Sequence, residues 1–199
     1  MHCIFKKIDI MMYAKTMIDI FFNPASYCDT QWLRALDNSQ SEFSINALPP
    51  YVKNALLLNR FDHSITDPLL FQANDSINLF IENWRKINYC AYLIGLRILK
   101  KQIVKQPYIM SRLSKKKVSF MWLPMRPDFP SAKYSEEINT DLIVETGASF
   151  IFSVATYILP LPLLERLKLC FSPSVRYQQM EISSIDSSLA SLKWVFSYA

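Results

Sequence analysis

Asp75-Ser76-Ile77-Asn78-Leu79-Phe80-Ile81-Glu82-Asn83-Trp84 decides the fold class, because Ile77, Phe80, Ile81 and Trp84 fall at i, i+3, i+4 and i+7, the spacing that lines one face of an α-helix. Asp75 or Ser76 offers the side-chain oxygen that an N-cap supplies to the unpaired amides of a first turn. After a break near Ile87 and Asn88, Tyr89 to Leu99 is apolar almost all round, as suits a central helix buried by its neighbours. Its end turns basic at Arg97, Lys100 and Lys101, where cations complement the negative pole of the helix dipole.

Toward the C-terminus, Pro107 ends this element and Ile109 to Trp122 reads as one further helix carrying Lys115, Lys116 and Lys117. Pro124, Pro127 and Pro130 mark a linker, with a polar, acidic stretch from Tyr134 to Asp141 behind it. A second apolar helix is expected from Ala148 to Leu159. Leu163, Leu164, Leu167 and Phe171 form the face of the next, which stops at Ser172-Pro173. Ile182, Ile185, Leu189 and Leu192 recur every three to four residues and give a last amphipathic helix from about Glu181, with Trp194 and Phe196 extending its apolar face into the core.

Toward the N-terminus, Pro49 and Pro50 open a helix that bears Val52, Leu56 and Asn59, and Arg60 to Asp67 return to loop. Asp37 to Glu42 is polar and reads as a loop. Thr30 is placed to cap a short helix with Trp32, Leu33 and Leu36 on one face. Residues 1 to 20 show no clear commitment, and Met11, Met12 and Met17 leave the natural start open. The expected architecture is mainly α: a single compact helical domain over residues 21–199, with room for a short β-hairpin or irregular segment near the N-terminus.

Composition narrows the function. A chain of 199 residues with 51% hydrophobic and 20% charged residues is long enough to bury a sizeable core as one ordinary domain. Aromatics at 14%, with 8 Met, suit either a thick core or surfaces covered by something else, and the surplus points toward an interface. Gly95 and Gly147 are the only glycines, so a P-loop, a dinucleotide-binding turn and a nucleophile elbow cannot be built.

Cys3, Cys28, Cys90 and Cys170 lack the paired spacing of structural zinc sites, and the only histidines are His2 and His63. They are expected as incidental thiols of a reducing cytoplasm, with no metal and no cofactor. Asp62-His63-Ser64 has the residue types of a hydrolase triad, but three sequence neighbours cannot aim at one another in that geometry. No catalytic residue is expected. No secretory signal is evident, and the longest apolar stretch, Gly147 to Pro162, is shorter than the roughly 20 residues of a spanning helix.

Charge is uneven along the chain. Between Trp84 and Pro127 there is no Asp or Glu, while eleven of the 22 basic residues lie there; the remainder carries eleven basic and 17 acidic residues, a formal balance of −6 beneath the overall +5. Such a cationic module suits an acidic partner, whether protein, nucleic acid or anionic lipid, or serves as a solvated helix face. Arg112, Lys115, Lys116 and Lys117 are the candidate partner interface. A reading of a different class is a nucleic-acid-binding helical protein, with Tyr108, Phe120 and Trp122 interleaved for stacking.

Three blocks in order carry a resemblance: Phe22-Asn23-Pro24-Ala25-Ser26-Tyr27, then Trp84-Arg85-Lys86-Ile87-Asn88-Tyr89-Cys90-Ala91-Tyr92-Leu93-Ile94-Gly95, then Leu163-Leu164-Glu165-Arg166-Leu167-Lys168-Leu169-Cys170-Phe171-Ser172-Pro173. Over roughly residues 18 to 197 the chain resembles the OrgA/MxiK proteins, the SctK component of type III secretion systems. Asn23 stands where the family commonly has Asp, and Asn88 where a Pro often precedes the Ala-Tyr-Leu block. The resemblance implies a non-enzymatic adaptor of the sorting platform at the cytoplasmic face of the bacterial inner membrane. Its implied partners are the cytoplasmic domain of the inner-membrane ring protein and the pod-forming protein, and through the latter the export ATPase and its regulator. No small-molecule substrate and no cofactor are implied. The motif residues Phe22, Pro24, Tyr27, Trp84, Ala91, Tyr92, Gly95, Phe171 and Pro173 are expected to build the scaffold.

Overall fold

Apolar residues spaced three and four apart, and almost no glycine for tight primed turns, direct the backbone into helices. A computed structural model describes residues 2–37, 45–60, 74–124, 129–130 and 137–199. Among them are the α-helices α1 (His2–Phe22), α2 (Thr30–Asp37), α3 (Pro50–Arg60), α4 (Asp75–Glu82), α5 (Ile87–Ile98), α6 (Lys100–Ile103), α7 (Pro107–Arg112), α8 (Lys115–Trp122), α9 (Thr140–Ala155), α10 (Leu161–Lys168) and α11 (Ile185–Tyr198). Short 3₁₀ turns occupy Pro24–Ser26, Ile45–Ala47 and Trp84–Lys86. No strand occurs among the described residues, so the fold is mainly α and the N-terminal hairpin is not formed there. The chain divides into two compact units, Met1–Arg85 with Pro160–Pro173, and Lys86–Leu159 with Ser174–Ala199.

In the first unit, α4 buries Ile77, Phe80 and Ile81, and Trp84 just beyond it is 2% exposed, as the stripe predicts. The cap lies one residue earlier than expected: the Asn74 side chain accepts from the Ile77 amide at 2.8 Å. At α2 the amide of Gln31 goes to the Asp29 carboxylate at 2.9 Å, and Thr30 is already helical. Helix α1 runs through the segment for which the sequence offers no element, and it packs on α4 with Met17, Ile20 and Phe21 buried. A small separate core joins Leu36, Ile45 and Leu57, with Trp32, Leu33 and Leu56 against it.

The second unit is organised on the pair α5 and α9. A Cβ on Gly95 would stand 1.8 Å from the carbonyl oxygen of Ile143, and one on Gly147 would stand 1.8 Å from that of Ala91, so the two backbones meet with no room for a side chain at either point. Helix α9 begins at Thr140, eight residues before the expected start, because Asn139 caps the Leu142 amide at 2.8 Å. Its buried polar groups are satisfied. Thr146 donates to the Leu142 carbonyl, and the hydroxyls of Ser149 and Ser153 accept from the amides of Gln178 and Met180.

Three other boundaries move. The break expected at Ile87-Asn88 falls at the Trp84–Lys86 turn. The single helix expected from Ile109 to Trp122 is two, α7 and α8, because Ser114 is extended and its hydroxyl caps the Lys117 amide. Helix α11 starts at Ile185 rather than near Glu181, capped by Ser184. Most of the loop expected at Asp37 to Glu42, and all of Asp62-His63-Ser64, lie outside the described residues, as do Pro127 and Tyr134. No helix among the described residues is long and apolar enough to cross a membrane.

Candidate functional site

Three of the four predicted cationic residues, Arg112, Lys116 and Lys117, meet aromatic rings of the second unit. Arg112 closes α7 with its guanidinium carbon 4.3 Å from the centre of the Tyr108 ring and donates to the Tyr108 hydroxyl at 3.1 Å. Lys116 Nζ stands 5.4 Å from the ring of Tyr198, whose hydroxyl donates to the Lys116 carbonyl at 3.2 Å. Lys117 Nζ lies 4.3 Å from the Tyr92 ring. Arg112, Lys115 and Lys116 are exposed and Lys117 is half-buried.

Cation–π contact holds Arg112, Lys116 and Lys117 near the surface without neutralising them. Among the described residues, no carboxylate pairs with any of the four. Lys115, Lys116 and Lys117 also fill the first turn of α8, the positive end of its dipole, where cations are unfavourable. Local helix energetics therefore oppose three lysines at this place.

Two other cations of the stretch make contacts within the second unit. Arg97 was expected to complement its own helix end. It stands in the last turn of α5 and also donates through Nη1 to the carbonyls of Met121 and Leu123 at 2.7 and 2.8 Å, closing the C-terminus of α8. Lys100 Nζ sits 3.9 Å over the Trp122 ring. Phe120 is fully buried, 5.3 Å from Trp194 and 4.8 Å from Tyr198 between ring centres, so it offers no face for stacking a base.

The motif residues divide between core and surface. Trp84 meets Tyr27 edge-on at 6.0 Å and 87°, and the Tyr27 hydroxyl donates to the Ile20 carbonyl at 2.7 Å. Pro24, Ala91 and Phe171 are buried, and Gly95 stands at the helix crossing. The carbonyl of Phe171 accepts from the Trp32 indole at 2.7 Å, and that of Leu169 from the Asp29 amide at 2.8 Å, which ties the late block to the start of α2. Tyr92 is half-buried under Lys117, while Phe22 and Pro173 are exposed.

Two features of the first unit carry no sequence signal. Asn54, buried on α3, accepts from the Ala25 amide and donates to Asn23, which in turn donates to Asp19; Asp19 pairs with Arg85 at 3.1 Å. Arg166 is 2% exposed, its guanidinium carbon is 6.0 Å from the centre of the Phe21 ring, and burial lowers its pKa.

Burial pushes the Cys28 thiol up to about 11 and that of Cys90 to about 12, and it raises Cys170 as well, which favours the protonated thiol at each. No group of His, Cys, Asp and Glu among the described residues is arranged to hold a metal ion.

Residues 17–199 match a protein-family model described as bacterial type III secretion apparatus protein (OrgA_MxiK). No curated protein and no solved structure matches the chain.

Proposed function

We propose, from the premise that this chain belongs to the OrgA_MxiK family of bacterial type III secretion apparatus proteins, that it is a non-enzymatic adaptor of the cytoplasmic sorting platform. It would link the cytoplasmic domain of the inner-membrane ring protein to the pod-forming protein, and so to the export ATPase and its regulator. The observation that carries the reading is the cluster Arg112, Lys115, Lys116 and Lys117. Its charges lack carboxylate partners among the described residues, and three of them oppose the dipole of the helix that bears them. A partner's acidic face supplies what the local structure does not.

The test is co-purification of the full chain with the ring protein's cytoplasmic domain and with the pod protein. Reversing the four charges to Glu is expected to abolish capture of one neighbour and to stop secretion, while helicity and thermal unfolding stay near wild type. Unchanged capture of both neighbours with unchanged secretion sinks the interface assignment.

A further inference from the structure

The opposite end of α8 presents different chemistry. Trp122, its last residue, is 56% exposed, although its flanking carbonyls are fixed by Arg97. Lys100 lies over its ring, and Val104, four residues along from Lys100 and so on the same side of α6, is 43% exposed. Lys101 and Lys105, next in sequence to Lys100 and Val104, are exposed as well. A tryptophan and a valine left in water, with one lysine against the ring and two more exposed lysines next in sequence to Lys100 and Val104, in a stretch without a carboxylate, have the composition of a binding anchor: an aromatic centre with charge about it.

We propose that α6 and the C-terminal end of α8 form a docking surface for an acidic polypeptide segment of a protein partner, one with an apolar side chain set between its carboxylates. The apolar side chain packs on Trp122 and Val104, and the carboxylates meet Lys100, Lys101 and Lys105. This rests on reading the chain as an adaptor and adds a second contact, about 10 Å along α8 from Lys115 given the rise of 1.5 Å per residue.

Charge complementarity selects the occupant. A single-stranded nucleic acid needs successive free ring faces, and here Phe120 is buried while one face of Trp122 is already taken by Lys100. A membrane surface needs a longer amphipathic helix than α6, with four residues, or α8, with eight. An extended acidic segment needs only the anchor and the rim. Lys100, partly desolvated against the ring, is the cation best placed to reward a carboxylate.

The test uses the full chain and a fluorescein-labelled peptide of alternating Glu and Leu, read by anisotropy. Trp122→Ala and Lys100→Gln are each expected to weaken binding about tenfold, whereas Lys15→Gln, which removes one exposed charge from α1, leaves it unchanged. Equal losses in Lys100→Gln and Lys15→Gln overturn the proposal. So does wild-type affinity in Trp122→Ala, or Trp122-dependent binding that oligo-dT or phosphatidylglycerol vesicles compete for better than the peptide. Lys100→Gln retains the ring and so keeps the test open should Trp122→Ala fold poorly. Failure of the wild-type chain to co-purify with its apparatus neighbours, with the peptide results as expected, removes the adaptor reading alone.

Discussion

Gly95 and Gly147 face each other where α5 crosses α9, so that a Cβ added to Gly147 would lie 2.8 Å from the Gly95 amide nitrogen. Both glycines of the chain meet at one crossing, and what each opposes is main chain. A rotamer change cannot make room. Backbone must move, and the helices on which the second unit is built must part.

Gly95→Ala is accordingly expected to cost about 3 kcal/mol, the upper range for overpacking a close-packed interior. At this chain length that lowers the melting temperature by about 6–12 °C. Gly147→Ala should behave alike. Thermal unfolding by circular dichroism checks both, and a loss below about 2 °C in either would show that the crossing yields more readily than the geometry states.

Trp84 separates packing from polarity. Its ring is buried against Tyr27, yet its buried indole nitrogen meets no hydrogen-bond partner among the described residues. Trp84→Ala should therefore cost about 3–5 kcal/mol through the cavity it leaves. Trp84→Phe removes the unpaired N–H along with some volume and should cost markedly less. Chemical denaturation of the two variants measures the difference, and equal losses would mean that the N–H does more than the packing suggests.

The buried thiols make stability fall in alkali. Cys28, at about 11 in the fold against roughly 8.5 for a free thiol, stays protonated after the unfolded chain has begun to release its proton. The unfolded state then binds fewer protons than the native state, so unfolding free energy declines with rising pH. The contribution is complete below about pH 8.5 and is lost as pH climbs toward 11. Cys28→Ala should flatten the melting curve measured across that window, and an unaltered slope would assign the alkaline loss to other groups.

The sequence was most legible where a single face is buried. Ile77, Phe80, Ile81 and Trp84 announce α4, and the apolar run of α5 announces a central helix, because burial on one side or on all sides leaves a periodic or continuous signature. Helix α9 was half hidden. Its first turns carry Thr140, Asp141, Glu145 and Thr146, which read as polar chain until Asn139 is seen to cap them and Thr146 to bond its own backbone. The break at Leu113-Ser114 was lost for the same reason: serine at a cap and serine within a helix look identical in sequence.

The candidate surface shows the same division. Arg112 and Lys115 to Lys117 could be chosen on charge alone, whereas the capture of Arg97 by the end of α8 and the exposure of Trp122 depend on contacts between helices that no local pattern encodes. Asn54 and Arg166 were illegible, each being a polar residue on a helix whose burial is decided by segments far away in the chain.

Ser149 and Ser153 stand four residues apart on α9, a rise of about 6 Å, and they receive the amides of Gln178 and Met180. Alternate amides of an extended chain are spaced by about 6.6–6.8 Å. The serine row thus does for that segment what the carbonyls of an adjoining strand would do in a sheet, and it presents hydroxyls in place of a peptide edge. A linking stretch is thereby held against a helix by its main-chain amides, and those two amides are withdrawn from pairing with any other chain.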